Sequence, residues 1–116
     1  MNFIEYLFEK SRHSSSPLVV TDTESISHAD IWKRVLEISG WIEENAGGSE
    51  RIGILAENSP FFIQSYAAII HSGNTAVVID TKSSPADILN IISRCRIRTV
   101  FLDRKYGSRV TGIPGV

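Results

Sequence analysis

Between Arg51 and Leu102 short runs of consecutive apolar residues alternate with longer stretches that carry apolar residues at helical spacing. Ile52 to Ala56, Ala76 to Ile79 and Thr99 to Leu102 are the short runs, and none of them alternates polar with apolar. A strand that is apolar on both sides is covered on both sides, which is the mark of a parallel sheet joined by right-handed helical crossovers. Two Ser-Pro dipeptides open the intervening helices. Ser59-Pro60 supplies a cap and a first-turn proline for a helix running to Ser72, with Gly73 as its stop. Ser84-Pro85, with Asp87 in the capping-box position, opens a second helix that places Ile88, Leu89, Ile91, Ile92 and Cys95 inward. The first of these helices is apolar nearly all round (Phe61, Phe62, Ile63, Tyr66, Ala67, Ala68, Ile69, Ile70), so it is expected to be buried on more than one side. The fold class this dictates is α/β: a partial parallel sheet with helices on both faces.

The first fifty residues read differently. Asn2 caps a first helix, with Glu5 closing the box and Phe3, Ile4, Leu7 and Phe8 as its stripe. A serine-rich break over Arg12 to Pro17 follows. Pro17 to Thr21 and Ser25-Ile26-Ser27 read as a short hairpin around a turn at Asp22 to Glu24. Ser27 then caps a helix with Asp30 in the box, in which Ile31, Trp32, Val35, Leu36, Ile38 and Ile42 form the apolar face and Lys33, Arg34, Glu37 and Glu43 the polar one. Gly47-Gly48 ends it. Trp32 and Trp41 suit core and rim packing better than a ligand cage. Residues 1–116 thus form a single unit: helix, hairpin and helix over 1–50, three strands and two helices over 51–103, and a linker or tail over 104–116.

Composition excludes more than it specifies. At 116 residues with 42% hydrophobic and 22% charged positions the chain is ordinary globular material, neither fibrous nor disordered. One cysteine forms no internal bridge, and the three histidines His13, His28 and His71 are scattered, so no metal-ligand spacing exists. Cys95 reads as a small buried hydrophobe. The longest apolar run, Tyr66 to Ile70, is far below the ~20 residues of a membrane span. The first ten residues carry Glu5 and Glu9 where a signal peptide wants an apolar stretch. The expectation is a soluble cytoplasmic protein. The net charge of −1 hides an asymmetry: ten acids against five bases up to Glu57, and six bases against Asp103 alone from Arg94 to Arg109. Such a run suits either an anion or an acidic neighbouring domain. No nucleic-acid motif or interleaved aromatic surface accompanies it, so nucleic acid is not an expected partner.

No glycine-rich phosphate loop is present. The turn Glu57-Asn58-Ser59-Pro60 follows a buried strand, and the helix it opens has free N–H groups that attract anions; capping by Ser59 is the simpler role. From the residues alone the chain is a parallel α/β unit without a self-contained active site.

The order of the segments is similar to the opening of the adenylate-forming (AMP-binding) enzymes, the superfamily of acyl-CoA synthetases, nonribosomal peptide synthetase adenylation domains and luciferases. Ser25-Ile26-Ser27-His28-Ala29-Asp30-Ile31 resembles the (S)-L-T/S-Y-x-E-L segment near their start. Arg51 to Phe61 resembles the strand and helix start R-V-A-L-L-L-x-N-S-x-E-F, and Ile69 to Asp80 the segment L-K-A-G-x-A-Y-V-P-I-D/N. Ser84 to Leu89 and Thr99 to Asp103 fit the next helix and strand. Val78, His28 and Thr81 stand where the family has proline, tyrosine and proline, which leaves the subfamily open.

The resemblance implies the first part of the large N-terminal domain of a ligase. Such an enzyme activates a carboxylate with ATP and Mg²⁺ and passes the acyl group to CoA or a carrier-protein pantetheine thiol. The phosphate loop with its lysine, the adenine and ribose motifs and the mobile C-terminal domain have no counterpart in these residues. The fragment alone is therefore expected to be inactive, to need no cofactor or metal, and to self-associate where the remainder of the parent enzyme would cover it. In acetyl-CoA synthetase-like members, arginines in the loop corresponding to the one after the third strand approach the nucleotide end of CoA. The resemblance thus nominates Arg104, Lys105 and Arg109 as contacts to the CoA phosphates, with no catalytic residue in the chain. The other reading is a stand-alone α/β binding or protein-interaction module without catalysis.

Overall fold

A computed structural model describes residues 17–20, 25–110, 112–113 and 115–116, of which 17–20 and 25–26 are described by their backbone. The expected Asn2-capped helix, the serine-rich break before Pro17 and the turn at Asp22 to Glu24 lie outside the described residues.

Strand β1 (Pro17–Val20) pairs antiparallel with β2 (Ser25–Ser27), forming the expected hairpin. Helix α1 (His28–Asn45) starts at once: the Ser27 hydroxyl accepts from the Asp30 N–H at 3.2 Å. Three parallel strands follow: β3 (Arg51–Leu55), β4 (Thr75–Val78) and β5 (Thr99–Leu102), arranged β4-β3-β5. Helix α2 (Pro60–His71) joins β3 to β4, and α3 (Pro85–Cys95) joins β4 to β5. Both helices open as expected, with Ser59 Oγ accepting from Phe62 N–H and Ser84 Oγ from Asp87 N–H, each at 3.2 Å.

The strand order dictates the layers. The first crossover moves outward from β3, and the second returns past it to the other side. Two right-handed crossovers in opposite directions put their helices on opposite faces. Residues of β3 accordingly alternate in destination. Ile52 and Ile54 join Ile31, Trp32, Val35 and Ile42 of α1 and Ala67, Ala68 and Ile69 of α2. Leu55 joins Ile79, Ile88, Ile92, Ile97 and Tyr106 on the α3 face. At Gly53 an added Cβ would meet Ile79 Cδ1 at 3.3 Å and Val100 Cγ2 at 3.4 Å. The central strand therefore keeps a glycine where both neighbouring strands press over it.

Helix α2 is buried between α1 and the sheet, while Ile63 and Tyr66 stay exposed. Leu36 and Leu89, expected on inward stripes, are exposed, and Cys95 is half-buried; each lies at the border of a stripe whose centre is taken by isoleucine or valine. Trp32 is core and Trp41 is rim, its ring set edge-on to Phe101 at 5.6 Å.

Each of the helices α1 to α3 ends on a left-handed residue; after α1 it is Gly47 (φ +79), whose N–H reaches Ile42 O at 2.9 Å. Gly73 (φ +84) lets the Asn74 N–H reach Ile69 O, and Arg96 (φ +56) lets the Ile97 N–H reach Ile92 O. The segment expected as linker or tail is folded over its first half. Arg104–Arg109 is a 3₁₀ helix that buries Tyr106, and Val110 and Ile113 pack against the α3-side core. The signal for this was the one aromatic ring in an otherwise polar run.

Candidate functional site

In an open α/β sheet the crevice forms outside the carboxyl ends of the strands, at the point where the strand order reverses. Here that point lies between β3 and β5. The chain leaves β3 toward α2 on one face and leaves β5 toward the 3₁₀ helix on the other.

The first residues past the two strands hold this point closed. The Asp103 N–H donates to Leu55 O at 3.1 Å, extending the pairing of β5 with β3 by one step. Asp103 Oδ2 then accepts from the Glu57 N–H at 2.9 Å. The Glu57 carboxylate receives the hydroxyl of Tyr106 at Oε1, and Lys105 Nζ lies 3.6 Å from the same oxygen. Tyr106 is 8% exposed, and cations lie against its ring: Arg109 Cζ 4.9 Å and Lys105 Nζ 5.3 Å from the centroid. The Arg109 guanidinium donates to the carbonyl of Thr81, in the loop after β4. Tyr106 and the Arg109 stacked on it thus tie together the loops after all three strands.

The Tyr106 hydroxyl, donating to the carboxylate, holds the Glu57 carboxyl below its usual range. Slight burial opposes this, and the charges of Lys105 and Lys82 reinforce it.

The three cations nominated from sequence therefore sit in three situations. Arg104 is exposed at the start of the 3₁₀ helix. Lys105 is exposed and paired with Glu57. Arg109 is half-buried, bonded to Thr81 and stacked on Tyr106. Sequence reasoning missed Glu57, Asp103 and Tyr106 as members of the cluster. Glu57 and Asp103 were marked by position, since both stand just past a parallel strand; the partnership with Tyr106 spans 49 residues and has no local signature.

Elsewhere, His71 Nδ1 lies 3.1 Å from the buried Ser39 Oγ, which joins α2 to α1, and Ser59 is occupied with capping. Among the described residues no group of three His, Cys, Asp or Glu side chains is placed to hold a metal ion. Among them, too, no helix is long and apolar enough to cross a membrane.

The sequence model of the AMP-binding enzyme family matches residues 8–114, nearly the whole chain. The chain belongs to the AMP-binding enzyme family. This AMP-binding family member is 33% identical over 69 residues to the uncharacterized acyl-CoA ligase YhfT of Bacillus subtilis (strain 168), a match covering 60% of this chain and 14% of that protein. Its fold superposes on a benzoate CoA ligase from Burkholderia xenovorans LB400 with a TM-score of 0.89 at 20% identity, covering 96% of this chain and 23% of that one. ATP-bound MatB from Rhodopseudomonas palustris gives 0.87 at 18% identity, covering 97% and 23%. The α/β architecture expected from sequence is therefore the architecture found in adenylate-forming ligases, and the AMP-binding family member spans less than a quarter of the length of each of these relatives.

Proposed function

We propose that the chain is the opening portion of the large N-terminal domain of an ATP-dependent carboxylate-activating ligase. The whole enzyme forms an acyl-adenylate and pyrophosphate, then transfers the acyl group to CoA or a carrier-bound pantetheine thiol. The observation that carries this reading is the family match over residues 8–114, on a fold that superposes on CoA ligases.

In this reading the 116 residues supply scaffold and one ligand-facing edge, and the chemistry belongs to the rest of the enzyme. Without the phosphate loop and the nucleotide motifs, the chain has no donors to set around a transferring adenylyl group, so by itself it is inactive. Mg²⁺ and ATP would be held by those other parts. The CoA phosphates fall to the loop after β5, where Arg104 and Lys105 present exposed cations and Arg109 stands behind them. Charge-assisted hydrogen bonds from such groups suit a ribose phosphate.

A pyrophosphate-release assay on the chain with MgATP and a panel of carboxylates is expected to stay at background, and turnover would refute the reading. In the parent enzyme, replacing the exposed Arg104 and Lys105 together with alanine is expected to raise the apparent KM for CoA and leave adenylation unchanged. The defect should shrink with dephospho-CoA. An unchanged KM would remove the loop from the CoA site.

A further inference from the structure

We propose that Glu57 is the resident counter-ion of Lys105, displaced from it by an incoming phosphate, with Tyr106 the positioning residue that keeps Glu57 behind and Arg109 a fixed part of the scaffold. This rests on the reading of the carboxyl edge as the side that receives the phosphates of a nucleotide.

The two cations beside Tyr106 differ in what it takes to move them. Arg109 gives a hydrogen bond to the Thr81 carbonyl and lies half-buried on the ring at 4.9 Å. Leaving would strand a backbone acceptor and break a cation–π contact at once. Among the described residues Lys105 has only the 3.6 Å pair with Glu57 and a longer approach to the ring at 5.3 Å, and the side chains of the pair are 62% and 53% exposed. Ion pairs this exposed hold weakly in water. Lys105 is therefore the exchangeable cation and Arg109 is not.

Glu57 does not follow Lys105 when it exchanges. The carboxylate is held at that same Oε1 by the Tyr106 hydroxyl, and its backbone N–H is held by Asp103. It therefore stays near an arriving phosphate and opposes it, lowering affinity for any anion too weakly charged to outbid a carboxylate. A neutral ligand gains nothing from Lys105, which stays with Glu57. The pair thus selects for the dianionic end of a ligand, with exposed Arg104 as the second cation on the same short helix.

The test is titration of adenosine 3′,5′-bisphosphate into the full chain at fixed ionic strength. Glu57→Gln is expected to tighten binding roughly two- to five-fold. Lys105→Ala is expected to weaken it and to abolish the effect of Glu57→Gln in the double variant, a coupling that a merely structural Glu57 does not produce. In Tyr106→Phe, which keeps the ring, the Glu57 carboxyl followed by carbon NMR is expected to titrate nearer its ordinary range. Equal affinity of Glu57→Gln and the parent chain, with both binding, overturns the counter-ion role and leaves the phosphate-edge reading intact. A gain from Glu57→Gln that persists without Lys105 overturns it as well. An unmoved Glu57 midpoint in Tyr106→Phe removes Tyr106 as the positioning residue. No binding by the parent chain or by Glu57→Gln overturns both the inference and the reading beneath it.

Discussion

The six bases between Arg94 and Arg109 look like one patch in the sequence, yet β5 separates them into two groups at opposite edges of the sheet. Arg94, Arg96 and Arg98 lie before the strand, and Arg104, Lys105 and Arg109 after it. The two edges differ in more than address. In a parallel βα chain every connecting helix starts at the carboxyl edge and ends at the amino edge. The positive helix ends, those of α2 and α3, therefore gather at one side and the negative ends at the other. Arginines at the amino edge balance what the backbone has already put there. Cations at the carboxyl edge add to it.

Side-chain contacts follow the same division. At the amino edge Asn74, 8% exposed, works wholly on the backbone and its neighbour: its Oδ1 accepts from the Glu50 N–H at 2.8 Å, and its Nδ2 donates to Gly47 O at 3.0 Å and Ser72 Oγ at 2.9 Å. Nothing in that latch carries charge. Arg51 and Arg98, each one residue before the paired Ile52 and Thr99, line a cavity of about 90 Å³ together with Glu50 and the end of α1. At the carboxyl edge the latch is built from two carboxylates, a phenol and two cations, one of them exposed. A closed neutral latch is scaffold, and a charged one with an exposed member is equipped to receive a ligand.

Removing Tyr106 should break the carboxyl edge most severely. Tyr106→Ala deletes a buried ring from the α3-side core along with its bonds, and a loss of about 3–5 kcal/mol is expected in denaturant unfolding. Asn74→Ala strands the Glu50 N–H and the Gly47 carbonyl, for a loss of about 1–3 kcal/mol by the same measurement. Such a loss with binding at the other edge unchanged would sharpen the division, and a loss of both would blur it. Arg96→Gly relieves a left-handed backbone at a non-glycine residue and is expected to stabilise by about 0.5–1 kcal/mol.

The smallest effect is with pH. Because the Glu57 carboxyl sits below its ordinary value of 4.5 in the folded chain, its contribution is fully present above that value. It fades as pH falls through the depressed folded value. Comparing stability of the chain and of Glu57→Gln across the acid range should show the two curves converging there; curves that stay parallel would mean that the Tyr106 bond does not act on Glu57.

Much of this division was legible in the sequence. The Ser-Pro caps, the apolar runs and Gly73 each carry a local signal, and the sheet with its faces followed from them. The candidate site was legible only as charge. That Arg109 turns back to Thr81, 28 residues away, and that Tyr106 reaches Glu57 depend on the 3₁₀ helix docking after β5. Gly107 and the later glycines and proline read as a tail because turn-forming residues mask a short element whose apolar anchors, among the described residues, are Tyr106, Val110 and Ile113.

The most direct test of the two-edge account is an amide shift map of the isotopically labelled chain titrated with adenosine 3′,5′-bisphosphate at constant ionic strength. The account predicts shifts centred on Glu57, Asn58 and Asp103 to Tyr106, with Glu50, Arg51, Asn74 and Arg98 unmoved. Shifts centred on Arg51 and Arg98 instead would contradict it, because they would make the amino edge the anion-receiving side.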